Sequence, residues 1–279
     1  MQKPSSPISF TKMQGTGNDF VVINNLERLF SKEELVQLAP QLCDRKFGIG
    51  SDGLLALFPA EESEADYTMF YRNPDGSDAG MCGNGARCLA LFAHGLGFDS
   101  VHSFRIHERL YQARVEAPET VRISFPVKTT VTESRVDDKK IWQLHTGTEH
   151  IVTPVDAEIL QQEEFLRQQG ETLRYHPAFQ PKGTNVNFIC GTSNTEVRLQ
   201  TYERGVENLT LACGTGAIAA ALVWHHMENH STDAQQPYRV TTEGGTLEVY
   251  FSYDPQTQMY ADLELEGPAR VVFEGTYAI

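Results

Sequence analysis

The sequence predicts an α/β protein of the α+β type, built as two pseudo-symmetric halves, each a mixed, mostly antiparallel sheet wrapped around a central helix. Three observations carry that expectation. Landmarks recur at a half-chain offset. Short apolar or alternating segments outnumber helical ones and are joined by hairpin-like turns. In each half a Cys-Gly-x-Gly-Ala signature runs straight into an apolar helical stretch.

The repeat is read from three pairs of landmarks. Thr16-Gly17-Asn18-Asp19-Phe20-Val21-Val22 aligns with Thr146-Gly147-Thr148-Glu149-His150-Ile151-Val152, 130 residues further on. Met81-Cys82-Gly83-Asn84-Gly85-Ala86 aligns with Ala212-Cys213-Gly214-Thr215-Gly216-Ala217, 131 residues further on. Tyr71 and Tyr202 each lie 11 residues before the cysteine of their own half.

In chain order, Ile8 to Phe10, Phe20 to Asn24, Gly53 to Phe58 and Tyr67 to Tyr71 read as strands bounded by Gly, Asp, Asn and Pro. Ser31 to Cys43 reads as a helix. Ser31 can cap it, Glu34 completes a capping box, and Leu35, Leu38 and Leu42 fall on one face. Ala86 to Gly95 is a second helix. Val101 to Phe125 returns to strands, with Gln112, Arg114 and Glu116 alternating with Ala113, Val115 and Ala117. In the second half, Glu158 to Gln169 and Ala217 to Met227 read as helices. Thr184 to Ile189, Glu196 to Tyr202, Tyr238 to Val249 and Met259 to Leu265 read as strands. A last strand, Arg270 to Tyr277, follows the Gly267-Pro268 break and is expected to return to the first half. The expected domains are residues 1–126 joined by 268–279, and residues 127–267.

Composition narrows the function. With 37 acidic and 23 basic residues, the net charge of -14 over 279 residues argues against a nucleic-acid footprint. The longest apolar run, Ala217 to Trp224, is far too short to span a bilayer, and no membrane segment is expected. The polar stretch from Met1 to Met13 does not read as a secretory signal. Five scattered cysteines (Cys43, Cys82, Cys88, Cys190 and Cys213) fit a reducing, cytoplasmic setting rather than a disulfide framework.

Cys82 and Cys213 carry the chemistry. A helix start presents unpaired N–H groups and the positive end of the dipole, which lower the pKa of a nearby thiol and attract a carboxylate. The glycines allow a ligand to approach the backbone closely. Two such thiols facing one carbon could remove a proton from one side and deliver another to the opposite side without a cofactor. At a single turn, the bland reading of Cys-Gly as a small buried residue would be preferred. Cys82 and Cys88 are separated by five residues, which is not a zinc-knuckle spacing, and no metal is expected. Cys43, Cys88 and Cys190 sit in apolar patterns and read as core.

These residues resemble the diaminopimelate epimerase family along essentially the whole chain. The matching motifs are Lys12-Met13-x-Gly15-x-Gly17-Asn18-Asp19-Phe20, Arg45-x-Phe47-Gly48-Ile49-Gly50-x-Asp52-Gly53 and Arg72-Asn73-x-Asp75-Gly76-Ser77. They continue with Met81 to Cys88, Asn185-Val186-Asn187-Phe188, Glu203-Arg204-Gly205 and Ala212 to Gly216. The resemblance implies a diaminopimelate epimerase-like fold and a cofactor-independent interconversion of LL- and meso-2,6-diaminopimelate, on the route to lysine and peptidoglycan precursors. It implies that Cys82 and Cys213 are the acid/base pair, with Glu203 and His150 tuning the thiols and placing the reacting amino group. Asn18, Asn73, Gly83, Asn84, Asn185, Glu203, Arg204, Gly214 and Thr215 would bind the substrate, Arg204 taking the distal carboxylate through its fork. The only partner implied besides this small molecule is a second copy of the chain, as a homodimer.

The chain departs from the family at Thr148-Glu149, where most members carry Asn-Pro or Ser-Pro, at Gly53, where some carry a substrate-touching Gln, and at Gln14, which replaces a frequent His. The segment from Glu203 to Cys213 is one residue longer than in many relatives. Two other functions fit the same residues: a two-cysteine racemase of the same fold acting on another amino acid such as proline or hydroxyproline, and a non-catalytic binding or redox protein that signals through thiol oxidation.

Overall fold

The computed structural model describes residues 7–61, 63–228 and 236–278. The chain falls into two compact units, one of residues 1–123 with 267–279 and the other of residues 124–266. The first unit contains β1 (Ile8–Gly15), β2 (Asn18–Asn24), α1 (Lys32–Cys43), β3 (Gly53–Pro59), β4 (Tyr67–Arg72), α2 (Gly83–Gly95), β5 (Val101–Ile106), β6 (Arg109–Ala117) and β7 (Thr120–Phe125). Its sheet begins with the last strand of the chain, Arg270–Tyr277, which pairs antiparallel with β1. From there it runs through β2, β3, β4, β5 and β6. Among the described residues of this unit, the β2–β3 and β4–β5 pairs are parallel.

The second unit contains β8 (Thr132–Val136), β9 (Lys139–His145), β10 (Glu149–Pro154), α3 (Glu163–Arg174), β11 (Asn185–Ser193), β12 (Glu196–Glu203), β13 (Asn208–Thr210), α4 (Gly214–Met227), β14 (Tyr238–Thr242), β15 (Gly245–Asp254) and β16 (Met259–Pro268). Its sheet runs from β8 through β9, β10, β11, β12, β14, β15 and β16, and again two pairs are parallel, β10–β11 and β12–β14. The sequence of pairing directions is that of the first unit, so the sequence repeat is a repeat of topology. Each parallel pair needs a crossover, and helices supply it: α1 or α3 for one pair, α2 or α4 for the other.

The local reasons for these elements are visible. Ser31 accepts a hydrogen bond from the Glu34 N–H at 3.1 Å while Glu34 bonds the Ser31 N–H at 2.8 Å, the expected capping box. Leu35 and Leu42 are buried on the inner face with Ala39, and Leu38 is half-buried beside them. α4 is apolar almost all round, and from Ala217 to Val223 every residue is buried, as befits a helix enclosed by its own sheet. The alternation from Gln112 to Ala117 places Ala113 inside and Arg114 outside.

The structure corrects four sequence expectations. α2 and α4 begin at Gly83 and Gly214, one turn earlier than Ala86 and Ala217, so the cysteine is itself the residue that caps each helix. The helix expected over Glu158 to Gln169 is a 3₁₀ turn at Ile159–Gln161 followed by α3 over Glu163–Arg174. The missing side chain of Gly170 lets α3 lie against Tyr202: a Cβ there would meet ring carbons at 2.6 and 2.7 Å. Cys190 is half-buried against the core rather than within it. β8, β9, β10 and β13 lie in stretches to which the sequence pattern assigned no strand.

Candidate active site

In the first unit, the site is organised by Cys82 at the start of α2. Cys82 has extended backbone (φ -120°, ψ 117°), and its Sγ accepts from the Gly85 N–H at 3.5 Å. Its thiol in turn faces Asn18 Oδ1 at 3.6 Å. Asn18 cannot turn its amide round without loss, because its Nδ2 donates to Asp52 Oδ2 at 2.8 Å. Asp52 is held by Arg45, which also forks onto Asp19 with bonds of 2.8 and 3.1 Å. Burial by itself would raise the Asp19 carboxyl, but Arg45 and the ion-paired Lys12 outweigh it and hold Asp19 at about 2. The charged residues of β1, β2 and the Arg45–Asp52 loop thus act as a frame that orients one neutral amide toward the thiol.

Asn84 is the other amide at this helix start. Its Nδ2 donates to Asn18 Oδ1 at 3.4 Å, while its Oδ1 accepts from Thr16 Oγ1 at 3.1 Å and from Arg87 Nη2 at 2.9 Å. The turn that carries Thr16 is strained into the left-handed region (φ 50°), and Gly17 follows at φ 85°. Asn73 stands apart from this group: among the described residues its Nδ2 donates to Ser77 Oγ at 3.0 Å, closing the 73–77 turn. Gly53 lies beneath Tyr71, whose ring would stand 2.5 Å from a Cβ at residue 53, so the aromatic ring occupies the room that a longer side chain would need.

The second unit builds a counterpart from different residues. Cys213 caps α4 with nearly the same backbone (φ -116°, ψ 115°) and is buried. Its Sγ lies 3.7 Å from Thr215 Oγ1 and is hydrogen-bonded to the Glu203 carboxyl, which also accepts from Thr210 Oγ1 at 3.0 Å. Burial raises the Glu203 pKa, and the bonds from Thr210 and Cys213 only partly offset it. His150 is fully buried, with Nε2 at 3.0 Å from both Thr148 and Thr215 hydroxyls and Nδ1 at 3.0 Å from Asn187 Nδ2. Burial, with smaller contributions from His145 and Arg204, lowers the His150 pKa to about 3, so the ring is neutral at neutral pH. Thr146, the counterpart of Thr16, donates to the Thr215 carbonyl at 2.9 Å. Gly216 is required here, since a Cβ would sit 2.6 Å from Asn187 Oδ1.

Asn185 and Arg204 lie at the edge of this group. Asn185 Nδ2 donates to Thr148 Oγ1 at 3.1 Å, and its Oδ1 accepts from the Arg204 N–H at 2.9 Å. The Arg204 guanidinium uses Nη1 on the Lys182 carbonyl (2.9 Å) and on Glu149 (3.4 Å), and among the described residues no bond is made by Nη2. Thr148 therefore takes up, through its hydroxyl, a position that bridges His150 and Asn185. Sequence reasoning missed Arg87, Asn187, Asp52 and Thr16 as site components. Asn187 and Asp52 stand inside quoted motifs, yet only their contacts reveal what they do.

Both cysteines thus occupy equivalent positions in a repeated unit, each capping a buried helix amid polar side chains with perturbed titration. Residues 10–109 and 143–270 match the sequence model of a family described as Diaminopimelate epimerase. The chain belongs to the diaminopimelate epimerase family. Among curated relatives, the diaminopimelate epimerase of Flavobacterium psychrophilum is 38% identical over 267 residues, covering 95% of this chain and 98% of that protein. That of Chlorobaculum tepidum is 36% identical over 274 residues, covering 96% of this chain and all of that protein. Solved structures with the same fold include a phenazine biosynthesis protein from Bacillus anthracis (TM-score 0.72, 13% identity, 98% and 100% of the two chains). A hydroxyproline epimerase from Agrobacterium vitis with bound trans-4-hydroxy-L-proline is also similar (TM-score 0.69, 16% identity, 100% and 94%). The chain is an isomerase of the epimerase class with a diaminopimelate epimerase-like fold. Among the described residues no helix is long and apolar enough to cross a membrane.

Proposed function

We propose that the chain interconverts LL- and meso-2,6-diaminopimelate by a two-thiol proton exchange, without a cofactor. The observation that carries the reading is the equivalence of Cys82 and Cys213, each capping the buried helix of its own repeat. In one direction the Cys82 thiolate takes the α-proton, and the electron pair left on carbon delocalises into the α-carboxylate. The Cys213 thiol then gives its proton to the opposite face, leaving a Cys82 thiol and a Cys213 thiolate. The reverse reaction exchanges their roles, so each cysteine must ionise within reach of working pH. The N–H groups at Gly83-Asn84 and Gly214-Thr215 would receive the charge that develops on the carboxylate. Asn18, Asn73 and Asn185 are assigned to substrate binding. Arg204 is assigned to the distal carboxylate, a role that its Nη2 leaves room for. Glu203 would accept from the Cys213 thiol and the reacting amino group, and neutral His150 would help to place that amino group through the Thr148 and Thr215 hydroxyls that it holds.

This reading places the enzyme in the cytoplasm on the route to lysine and peptidoglycan precursors, as a homodimer that light scattering would detect. The deciding experiment is incubation with LL-diaminopimelate in deuterated water. Formation of the meso isomer with deuterium at one α-carbon is expected, and failure of both would end the proposal. Cys82→Ser and Cys213→Ser should each abolish isomerisation while retaining ligand binding. A redox-signalling protein would show no isomerisation to lose.

A further inference from the structure

His150 is buried in the second unit, and the hydrogen atoms between it and its neighbours can be placed one by one. Asn187 Nδ2 lies 2.8 Å from the Ile151 carbonyl, which only accepts, so this atom is the amide nitrogen and donates to His150 Nδ1 at 3.0 Å as well. The neutral ring therefore carries its proton on Nε2. That nitrogen stands 3.0 Å from the hydroxyl oxygens of both Thr148 and Thr215. Being a donor, it can take a hydrogen from neither.

Each hydroxyl must then direct its own hydrogen elsewhere. Among the described residues, Thr215 Oγ1 makes one further contact, with Cys213 Sγ at 3.7 Å. The residue is fixed in place from behind, because its carbonyl accepts from Thr146 Oγ1 at 2.9 Å. While Cys213 holds its proton, either atom of the oxygen–sulfur pair can donate. Once that proton has left, the sulfur has none to give, and the Thr215 O–H is the donor. A hydrogen bond to an anion is roughly twice as strong as one between neutral groups, so the contact is strongest in the thiolate form.

We propose that the Thr215 hydroxyl, turned away from His150 by the tautomer that Asn187 imposes, donates to the Cys213 sulfur and stabilises its thiolate. This role deepens the two-thiol reading and rests on it for its part in the reaction, adding the Thr215 side chain to the N–H already assigned to the helix start. The donors run in one direction, from Asn187 through His150 and Thr215 to Cys213, so each bond polarises the next. Glu203 on β12 is a titratable group that meets the same sulfur, and His150 on β10 reaches it through Thr215. Further contacts of the sulfur leave the assignment unchanged, because the hydroxyl hydrogen has no other acceptor among the described residues.

Thr215→Val removes the hydroxyl but keeps the N–H of residue 215, and His150 Nε2 retains Thr148 as its acceptor. Thiolate absorbance is titrated in the ligand-free protein from about pH 5 to pH 11, and the part due to Cys213 is taken as the difference from the matching Cys213→Ser protein. That step should move up by about one pH unit in Thr215→Val and stay close to its native position in Thr215→Ser. Turnover of LL-diaminopimelate should fall about tenfold or more in Thr215→Val with KM changed by less than about twofold, and serine should restore most of it. Thr215→Ala repeats both measurements should valine disturb folding. Nitrogen NMR of isotope-labelled histidine, with the His150 signals assigned by their loss in His150→Gln, should place the proton on Nε2. A proton on Nδ1, or an unmoved Cys213 step in a folded variant without the hydroxyl, overturns the proposal. A raised step in a protein that shows no isomerisation would sink the epimerase reading and leave the Thr215 bond standing, and isomerisation with an unmoved step would do the reverse.

Discussion

Asn187 donates from Nδ2 to His150 Nδ1 at 3.0 Å, and this single bond settles the tautomer of the buried ring. Asn187 is itself held, because its Nδ2 also bonds the Ile151 carbonyl at 2.8 Å and its Oδ1 accepts from Thr201. The proton of neutral His150 therefore lies on Nε2, facing the Thr148 and Thr215 hydroxyls.

A pH dependence of stability follows. The His150 pKa falls from 6.5 to about 3 on folding, so between those values the unfolded chain holds a proton that the folded chain lacks. Its contribution is fully present above pH 6.5 and is lost as pH falls toward 3. The slope approaches about 1.4 kcal/mol per pH unit within the window. Glu203 works in the other direction: its raised carboxyl stabilises the fold below the unfolded glutamate value and loses that contribution as pH rises through the folded one. Urea unfolding at a series of pH values should show that His150→Gln has a flatter acid limb than the native sequence. Parallel limbs would mean that the ring titrates normally.

Gly216→Ala should damage the second helix start. The added methyl would stand 2.6 Å from Asn187 Oδ1 and 3.2 Å from Cys213 Cβ, in a place where nothing is free to move. A loss of about 1 to 3 kcal/mol in stability is expected, with a larger proportional fall in turnover because His150 and Cys213 are both displaced. Thermal unfolding and isomerisation rates measured side by side would check this.

Gly170→Ala tests the corrected helix. On propensity alone the change should stabilise α3 by roughly 1 kcal/mol. Since the new carbon would press on the Tyr202 ring, net destabilisation is expected instead. A raised melting temperature would refute the close approach of α3 to β12.

Asp52→Ala should act through Asn18. Without its acceptor at 2.8 Å, the Asn18 amide is free to rotate and no longer presents Oδ1 to Cys82 and Asn84. We expect kcat/KM to fall by about tenfold or more, with a smaller change in melting temperature, since a displaced positioning group is felt mainly in the rate. Kinetics on the variant, with circular dichroism as the control for folding, would decide it.

Much of this architecture was legible in the sequence because it follows local rules. The capping box at Ser31, the alternation after Gln112 and the signatures at Cys82 and Cys213 are short-range patterns, and their repetition made the topology recoverable. What escaped depends on contacts distant in sequence. The part Gly170 plays in packing shows only with Tyr202 in view. The helix starts at Gly83 and Gly214 were concealed because glycine has poor helix propensity. Arg87 drew no separate reading from its place in the motif after Cys82. Its burial appears only when Thr16, Asn84 and the Pro268 carbonyl close around it.

The pairing of Arg270–Tyr277 with β1 also bears on how the protein is made. As the polypeptide leaves the ribosome, the residues of the second unit emerge as one uninterrupted stretch and can fold at once. The first unit must wait with β1 as an open edge until the final strand is released. Nascent chains arrested before residue 270 should therefore hold a finished second lobe beside an unsealed first one, and chaperone engagement should concentrate on that early-born, late-completed sheet.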